Sequence, residues 1–204
     1  LQEGIGMGER TAISWATDTW NPWVGCSKVS PGCTNCYMFR DMERYGKNPN
    51  IITRSKTRFT DPLKWPATPS AEGPPRRIFT CSWSDFFIRD SDQWREEAWE
   101  IILATPWHNY LILTKRPGLM VAWAKTHPWP EHVWAGVSVE TAKYLPRLDV
   151  LTRVPAKIRF CSHEPLLGPQ NVRPWLGRVL NWGIVGAESG PNGVRREMDL
   201  AWAR

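Results

Sequence analysis

The chain has 204 residues, 42% of them hydrophobic and 23% charged, which is the composition of a globular protein with one substantial core. It contains no run of 18 apolar residues and no basic region followed by an apolar stretch, so nothing predicts a membrane span or a secretory signal. The net charge of +6 permits a nucleic-acid partner without requiring one. We expect residues 7–204 to form a single α/β domain, with residues 1–6 as a tag or extension outside it.

Six short runs rich in Ile, Val, Leu and aromatic residues are predicted to be strands. Such runs are typical of strands that are covered on both faces, as in a parallel sheet. The first leads directly into a cysteine-rich loop. In chain order the runs are Ala12–Thr17, Arg77–Trp83, Asn109–Lys115, His132–Val139, Lys157–Ser162 and Asn181–Gly186.

The segments between the later runs are predicted to be helices. Asp90 is expected to cap a helix with Gln93 at its third position, and the apolar residues that follow recur at helical spacing on one face. Similar stripes follow Pro117 and lie within Thr141–Thr152. The apolar positions of the first of these helices are Trp94, Ala98, Ile101 and Ile102.

Strand–helix alternation of this kind is typical of a right-handed βαβ array. It predicts a partial (β/α)6 TIM-like barrel or an open doubly wound sheet. Residues 46–76 are rich in Pro, basic and polar residues, which predicts an irregular insertion with a short extended piece at Asn50–Arg54. Met198–Arg204 resembles the beginning of a further helix, so we expect a C-terminal part to be missing.

Three of the five cysteines lie within eleven residues, with the spacing C-x6-C-x2-C at Cys26, Cys33 and Cys36. An odd and clustered set does not fit a secreted disulfide framework, and it favours a reducing, cytoplasmic setting. A turn between the last two cysteines brings their sulfurs within reach of one metal centre, and Cys26 closes the loop around it. Three thiolates leave one coordination position to be filled from elsewhere or kept open.

Three interpretations of this cluster stay open. The first is an iron–sulfur cluster with one open iron, and the second is a structural zinc site completed by a remote His or Cys. The third is a redox dithiol or three unconnected thiols. The zinc interpretation implies a nucleic-acid or protein interaction module without catalysis.

The strings WNPWVGC (Trp20–Cys26) and GCTNCY (Gly32–Tyr37) resemble those of a phage and prophage protein family of unknown function with a three-cysteine motif. The resemblance spans nearly the whole chain. Genes of that family often neighbour a gene for a three-Cys-motif partner protein, so the resemblance implies such a partner and a bacterial host cytoplasm. Further matching strings are Ser84–Phe87, Leu113–Pro117, Gly136–Glu140, Ser162–Pro169 and Val185–Gly190.

The cysteines are also similar to those of radical S-adenosylmethionine (SAM) enzymes. In those enzymes three cysteines after the first strand of a partial barrel hold a [4Fe–4S] cluster. The resemblance implies reductive cleavage of SAM and hydrogen abstraction from a substrate, for which a nucleic acid is one candidate. The usual spacing is C-x3-C-x2-C, whereas the first interval here is six, and Asn35 replaces the usual aromatic before the last cysteine.

The same resemblance implies a cofactor-binding set. Ser82, Ser84 and Asp85 would bind the amino group of SAM, and Ser138 and Glu140 the ribose hydroxyls. Glu188 follows a glycine-containing run that resembles a segment near the adenine, and Tyr37 is the aromatic beside the last cysteine. These residues are Tyr37, Ser82, Ser84, Asp85, Ser138, Glu140 and Glu188.

Polar residues cluster where the predicted strands stop, and carboxyl ends of parallel strands are where ligands bind. At the end of the fifth run, Cys161, His163 and Glu164 are our candidates for catalytic groups. Each has a structural alternative: a small core thiol, a hydrogen-bonded rim histidine and a helix cap. Lys115 and Arg116 are either an anion clamp or part of a solvated loop.

Overall fold

The computed structural model describes residues 10–67 and 73–203 of the chain, which form a mixed α/β structure. The insertion predicted over residues 46–76 therefore lies partly outside the described residues. The helices and strands, in chain order, are β1 (Asp18–Trp20), β2 (Trp23–Val24), α1 (Tyr37–Arg44), β3 (Thr53–Arg54), β4 (Arg77–Thr80), α2 (Asp92–Ala104), β5 (Asn109–Thr114), α3 (Pro117–Ala124), β6 (Val133–Ser138), α4 (Pro146–Leu151), β7 (Arg159–His163) and β8 (Trp182–Val185).

Six strands form one parallel sheet in the order β1-β4-β5-β6-β7-β8. The strands lie side by side in the same order as they occur along the chain, so the strand order does not reverse anywhere in the sheet. A doubly wound sheet would reverse its strand order at a switch point. Within the described residues β1 does not pair with β8, so the sheet is open and no closed barrel forms.

Alternation of side chains along the strands produces two apolar layers. On one face, Ile78, Tyr110, Ile112, Val137 and Cys161 pack with buried side chains of α2, α3 and α4. The opposite face carries a second, aromatic-rich layer. Its members are Leu111, Phe160 and Ile184, with Trp15, Leu113, Trp134 and Trp182 packed against them.

The first strand differs from its prediction. The run Ala12–Thr17 forms turns, and β1 begins only at Asp18. Trp15 explains the difference, because its ring lies 4.6 Å from that of Phe79 and its segment folds across the sheet instead of pairing along it. A hydrogen bond of 3.0 Å from the Thr11 amide to the Thr17 carbonyl closes this bend.

The start of the second helix also differs. A 3₁₀ turn over Arg89–Ser91 precedes α2, and Asp90 makes no cap because the helix begins at Asp92 without a side-chain cap bond. The Arg95 guanidinium fixes this entry by donating 2.8 and 2.6 Å bonds to the carbonyls of Phe86 and Ile88. The predicted apolar face is otherwise confirmed, since Ala98, Ile101 and Ile102 are buried and Trp94 is partly buried.

The remaining predicted elements are present in shortened form. The stretch Thr141–Thr152 divides into a 3₁₀ turn at Ala142–Tyr144 and the short helix α4. The extended piece in the insertion narrows to β3, which pairs antiparallel with β2 and so ties the insertion to the cysteine loop. Near the C-terminus, Leu200–Ala203 forms a 3₁₀ turn. In the described part of the chain, no helix combines the length and apolar character needed to cross a membrane.

Gly136 tests the packing of the aromatic layer. A Cβ at this position would lie 2.3 Å from the ring of Phe160, its cross-strand neighbour, so Gly136→Ala should lower the free energy of unfolding by about 2 kcal/mol in a urea titration. Gly118→Ala is the control, because nothing lies within 4 Å of its added Cβ in α3. That variant should be unchanged or slightly more stable. Equal stability of both variants would contradict the proposed packing.

Candidate metal centre

A cavity of about 390 Å³ opens at the carboxyl ends of the parallel strands. This is the end at which β/α proteins bind ligands. Polar side chains that follow or end five successive strands line the cavity. They are Ser82 and Asp85 after β4, Lys115 after β5, Ser138 in β6, Glu164 after β7 and Glu188 after β8.

Cys26, Cys33 and Cys36 line the same cavity, and all five cysteines are free thiols. The loop that carries them is packed tightly against the insertion. The Cys26 amide donates a 2.8 Å bond to the Pro49 carbonyl. Gly25 has a φ of +97°, and a Cβ there would lie 2.5 Å from the Ile51 carbonyl oxygen, so only glycine suits this position.

Within the described residues, no three His, Cys, Asp or Glu side chains surround a single ion position. A tetrahedral zinc site requires its ligands around one ion. In an iron–sulfur cluster each cysteine binds a different iron, so the three sulfurs need only border a common space. Three free thiols that line one cavity are a donor set that fits the cluster.

Local charges act on two of these thiols. Burial and the nearby Asp85 carboxylate raise the pKa of Cys26 to about 11, while Arg116 opposes this shift. Burial also raises the pKa of Cys36, against the lowering effect of backbone N–H groups at the start of α1 and of Lys115. Cations and helix amides of this kind stabilise thiolates. Lys115 and Arg116 therefore offset the negative charge that a metal-bound loop would carry.

Asp85 is fully engaged by the protein. Its Oδ1 accepts bonds of 2.9 Å from the Phe87 amide and 2.7 Å from the Thr114 hydroxyl. Its Oδ2 accepts bonds of 3.0 Å from the Lys115 amide and 2.8 Å from Arg116 Nη1. These four bonds occupy the lone pairs that the sequence analysis assigned to an amino group of SAM, so Asp85 serves to position Arg116.

Arg116 in turn holds the beginning of the cysteine loop. Its Nη2 donates 3.0 and 2.7 Å bonds to the carbonyl and hydroxyl of Ser27, and its Nη1 lies 3.9 Å from Cys26 Sγ. Arg116 is therefore not part of a solvated loop. It is also not available as an anion clamp, because it binds the cysteine loop. Lys115 lines the cavity with its side chain 22% exposed.

Glu140 does not line the cavity and instead anchors the middle of the loop. Its fully buried carboxylate accepts a 2.6 Å hydrogen bond from the Ser30 hydroxyl and a 3.0 Å hydrogen bond from Arg147 Nη1, and Lys115 Nζ lies 3.6 Å away. A Cβ on Gly32 would come within 2.5 Å of Glu140 Cγ. The expected contact of Glu140 with ribose hydroxyls is therefore replaced by contacts within the protein.

Glu188 lines the cavity and anchors the end of the loop. It forms an ion pair with Arg196 and accepts a 2.9 Å bond from Asn35 Nδ2. Arg196 also donates a 2.9 Å bond to the Pro31 carbonyl. The hydrogen bonds from Arg196 hold the pKa of Glu188 down at about 2, so this carboxylate is ionised at neutral pH.

Glu164 lines the wall formed after β7. Its Oε2 accepts a 3.1 Å hydrogen bond from Trp15 Nε1 and a 3.2 Å hydrogen bond from the Ser162 hydroxyl. Burial raises its pKa, and the two hydrogen bonds and Lys115 limit that rise. Gly186 allows the close approach, since a Cβ there would lie 2.5 Å from Glu164 Oε1.

Tyr37 and Ser82 connect α1 to the loop after β4. The Tyr37 hydroxyl donates a 2.6 Å bond to the Ser82 carbonyl, and Asn21 Nδ2 donates a 2.9 Å bond to the Ser82 hydroxyl. Ser84 fastens the same loop to the cysteine segment through a 2.6 Å bond to the Gly25 carbonyl. Tyr37, Ser82 and Ser84 all line the cavity.

Two of the candidate catalytic residues lie elsewhere. Cys161 is fully buried in the helix-side core, and His163 bonds to the Val139 carbonyl and to Gln170 through Nδ1. Neither lines the cavity, because both point to the side of β7 opposite Ser162 and Glu164. The period of two along a strand explains the outcome.

Sequence reasoning missed several residues of the site. Asn35, Trp15 and Arg196 reach it from loops, and no local spacing announces them. Cys81 is buried and also lines the cavity. Its φ of +64° is uncommon for a non-glycine residue. The available signal was that carboxylates follow four of the six strands of the sheet, because buried carboxylates need basic partners nearby.

A family model described as Protein of unknown function (DUF5131) matches residues 10–204. The chain belongs to this family. It has no significant match among curated proteins or among solved structures. The membership of this DUF5131 protein covers the cysteine loop and all strands of the sheet, and it assigns no activity to them.

Removing the charge of Glu140 should loosen the loop. Glu140→Gln leaves Arg147 and Lys115 without their buried carboxylate, which should cost about 3 kcal/mol of unfolding free energy in a urea titration at pH 7. Glu131→Gln removes one partner of an exposed ion pair with Lys157 and should change stability by less than about 0.5 kcal/mol. Similar losses in both variants would argue against an anchoring role.

The Glu188–Arg196 pair predicts an acid-dependent loss of stability. Because the pKa of Glu188 is lowered from 4.5 to about 2, its contribution is present above about pH 4.5 and is lost as the pH falls toward 2. The difference in unfolding free energy between wild type and Glu188→Gln should follow that course. In an Arg196→Gln background, which lacks the partner of the ion pair, the same Glu188→Gln substitution should give a smaller pH-dependent difference. A constant difference for Glu188→Gln would contradict the ion pair.

Proposed function

We propose that this protein holds a [4Fe–4S] cluster on Cys26, Cys33 and Cys36 and acts as a radical-SAM-like enzyme on a substrate bound at the same cavity. The observation that carries the proposal is the meeting of three free thiols with the polar carboxyl ends of five parallel strands around one space. When bound, the cluster and SAM would supply reductive cleavage of SAM and hydrogen abstraction from the substrate.

The chain itself would position these groups. Ser138 lines the cavity, and its hydroxyl makes no hydrogen bond within the part of the chain that the structure describes, so it is free to bind a ribose hydroxyl. Glu188 keeps its carboxylate ionised beside the loop, and Tyr37 lies directly after Cys36. Asp85 and Glu140 contribute indirectly, through Arg116 and the loop.

The walls of the cavity are suited to excluding water. Trp15 and Phe79 form one aromatic wall, and Met38 and Phe39 of α1 form another. Exclusion of water protects reactive species from side reactions and strengthens the charge interactions of the site. Of the three candidate catalytic residues, Glu164 is the one that lines the cavity, and burial raises its pKa. We therefore propose that Glu164 contacts the substrate.

Anaerobic reconstitution with iron and sulfide tests the proposal. Wild type should become brown and contain about four irons and four sulfides per chain, whereas Cys26→Ser, Cys33→Ser and Cys36→Ser should each lose most of the iron. Cys161→Ala is the matched control for iron content, because this thiol lies outside the cavity. With dithionite and SAM, the reconstituted protein should release methionine and 5′-deoxyadenosine. Full iron without SAM cleavage would overturn the enzymatic part of the proposal.

The zinc alternative makes a different demand. A closed zinc site requires a fourth ligand, and the structure brings one further thiol, Cys81, to the cavity. In that case a colourless protein with one zinc per chain would be isolated, and Cys81→Ala would lose the zinc. The cluster proposal expects Cys81→Ala to retain its iron, since three cysteines suffice.

A further inference from the structure

Three basic side chains that do not take part in the contacts described above lie beside residues that line the cavity or adjoin its lining. Lys28 belongs to the cysteine loop and is exposed, Arg40 lies on α1, and Arg195 is exposed on the segment after β8. Lys28 Nζ lies 4.8 Å from the ring centre of Phe39, which lines the cavity. Lys28 therefore lies next to a residue of the cavity wall, and its Nζ also donates a 3.0 Å hydrogen bond to the Thr34 carbonyl.

The Arg40 guanidinium and the Cβ of Arg195 both lie beside Gly190. A Cβ on Gly190 would lie 3.3 Å from Arg40 Nη1 and 3.8 Å from the Cβ of Arg195, and its neighbour Ser189 lines the cavity. Among the described residues, the acidic contact of this pair is the 3.4 Å bond between Arg40 Nε and Asp41. Two arginine side chains therefore start beside Gly190, and the guanidinium fork is a group that suits phosphate.

The cavity behind these cations combines aromatic walls with hydrogen-bonding groups. Phe39 lies next to Lys28, and Trp15 packs on Phe79. Glu164, which the proposed function already assigns to the substrate, offers hydrogen-bonding atoms within the same space. Enzymes that act on a nucleobase take it out of the stack, place it between aromatic side chains and bind its edge with polar groups.

We propose that this surface binds single-stranded nucleic acid, with backbone phosphates on Lys28, Arg40 and Arg195 and one base inserted into the cavity. The proposal deepens the function proposed above by naming the substrate class of the same site. The binding itself, however, requires neither SAM nor the cluster. Stacking and cationic contacts are how proteins bind single strands without strong sequence preference.

An anionic membrane is a less suitable partner. A lipid surface would engage the exposed cations, but it would leave the aromatic interior of a 390 Å³ cavity unused. A free phosphate would likewise contact the arginines alone. A nucleotide matches all three features. Its phosphates suit the three cations, its base suits the aromatic walls, and the polar edge of the base suits the hydrogen-bonding groups inside the cavity.

Fluorescence anisotropy with a labelled single-stranded oligonucleotide of about twelve nucleotides tests the proposal. Wild type should bind it, with a salt dependence that reports its phosphate contacts. The triple variant Lys28→Gln, Arg40→Gln, Arg195→Gln should bind at least about tenfold more weakly, with a salt slope smaller by about 2. An oligonucleotide with an abasic site at its centre should also bind more weakly to wild type, on the order of tenfold.

The matched control is the double variant Lys125→Gln, Arg153→Gln, which removes exposed positive charge after α3 and α4, at the opposite end of the strands. It should bind within about twofold of wild type. Thermal unfolding should show that all variants are folded. The proposal would be overturned if both sets of substitutions weakened oligonucleotide binding equally, or if the triple variant bound the oligonucleotide as tightly as wild type. Equal competition by inorganic polyphosphate, or by phosphatidylserine vesicles, would reassign the surface to a simple anion or to a membrane.

The outcome is separable from that of the proposed function. SAM cleavage without oligonucleotide binding would reject the nucleic-acid surface and leave the cluster chemistry in place. Oligonucleotide binding that depends on Lys28, Arg40 and Arg195, in a protein that takes up no iron, would reject the chemistry and support the surface.

Discussion

The site depends on buried carboxylates that hold a loop with almost no regular structure of its own. Asp85 acts through Arg116 on the beginning of the loop, Glu140 contacts its middle, and Glu188 acts with Arg196 on its end. The three carboxylates follow three different strands, so the rigidity of the sheet is transmitted to the loop. Without these contacts the three sulfurs would border no fixed space, and neither a cluster nor a substrate would find a preformed site.

This arrangement is possible because each charge is matched where it is buried. A carboxylate removed from water is costly unless it is paired and hydrogen-bonded. Asp85 accepts four hydrogen bonds, and Glu140 has Arg147, Lys115 and Ser30 around it. The cations used in this way are unavailable to a ligand. Asp85 and Glu140, which the similarity to radical SAM enzymes assigned to direct cofactor contact, therefore hold the cysteine loop in place instead.

The sequence predicted the parallel sheet and the approximate place of every main strand except the first. Periodicity sufficed for these because burial of apolar side chains governs them. It failed at Trp15, whose packing on Phe79 bends a strand-like run away from the sheet. It also failed at Cys161 and His163, because a register of one residue decides which face of β7 a side chain occupies. Arg196 and Asn35 depend on tertiary contacts that no local pattern carries.

The cysteine loop, α1 and the segment after β8 carry both the proposed metal ligands and the cations of the proposed nucleic-acid surface. Cys36 precedes α1 directly and Arg40 lies one turn further along that helix, while Arg196 anchors the loop and the Cβ of the adjacent Arg195 lies beside Gly190. A ligand that engages Arg40 and Arg195 would therefore draw together two segments that also hold the cysteine loop. If the two proposals hold, adjacent residues would contact the substrate and the cysteine loop, so that a substrate bound to Arg40 and Arg195 would also stabilise the arrangement of the three sulfurs.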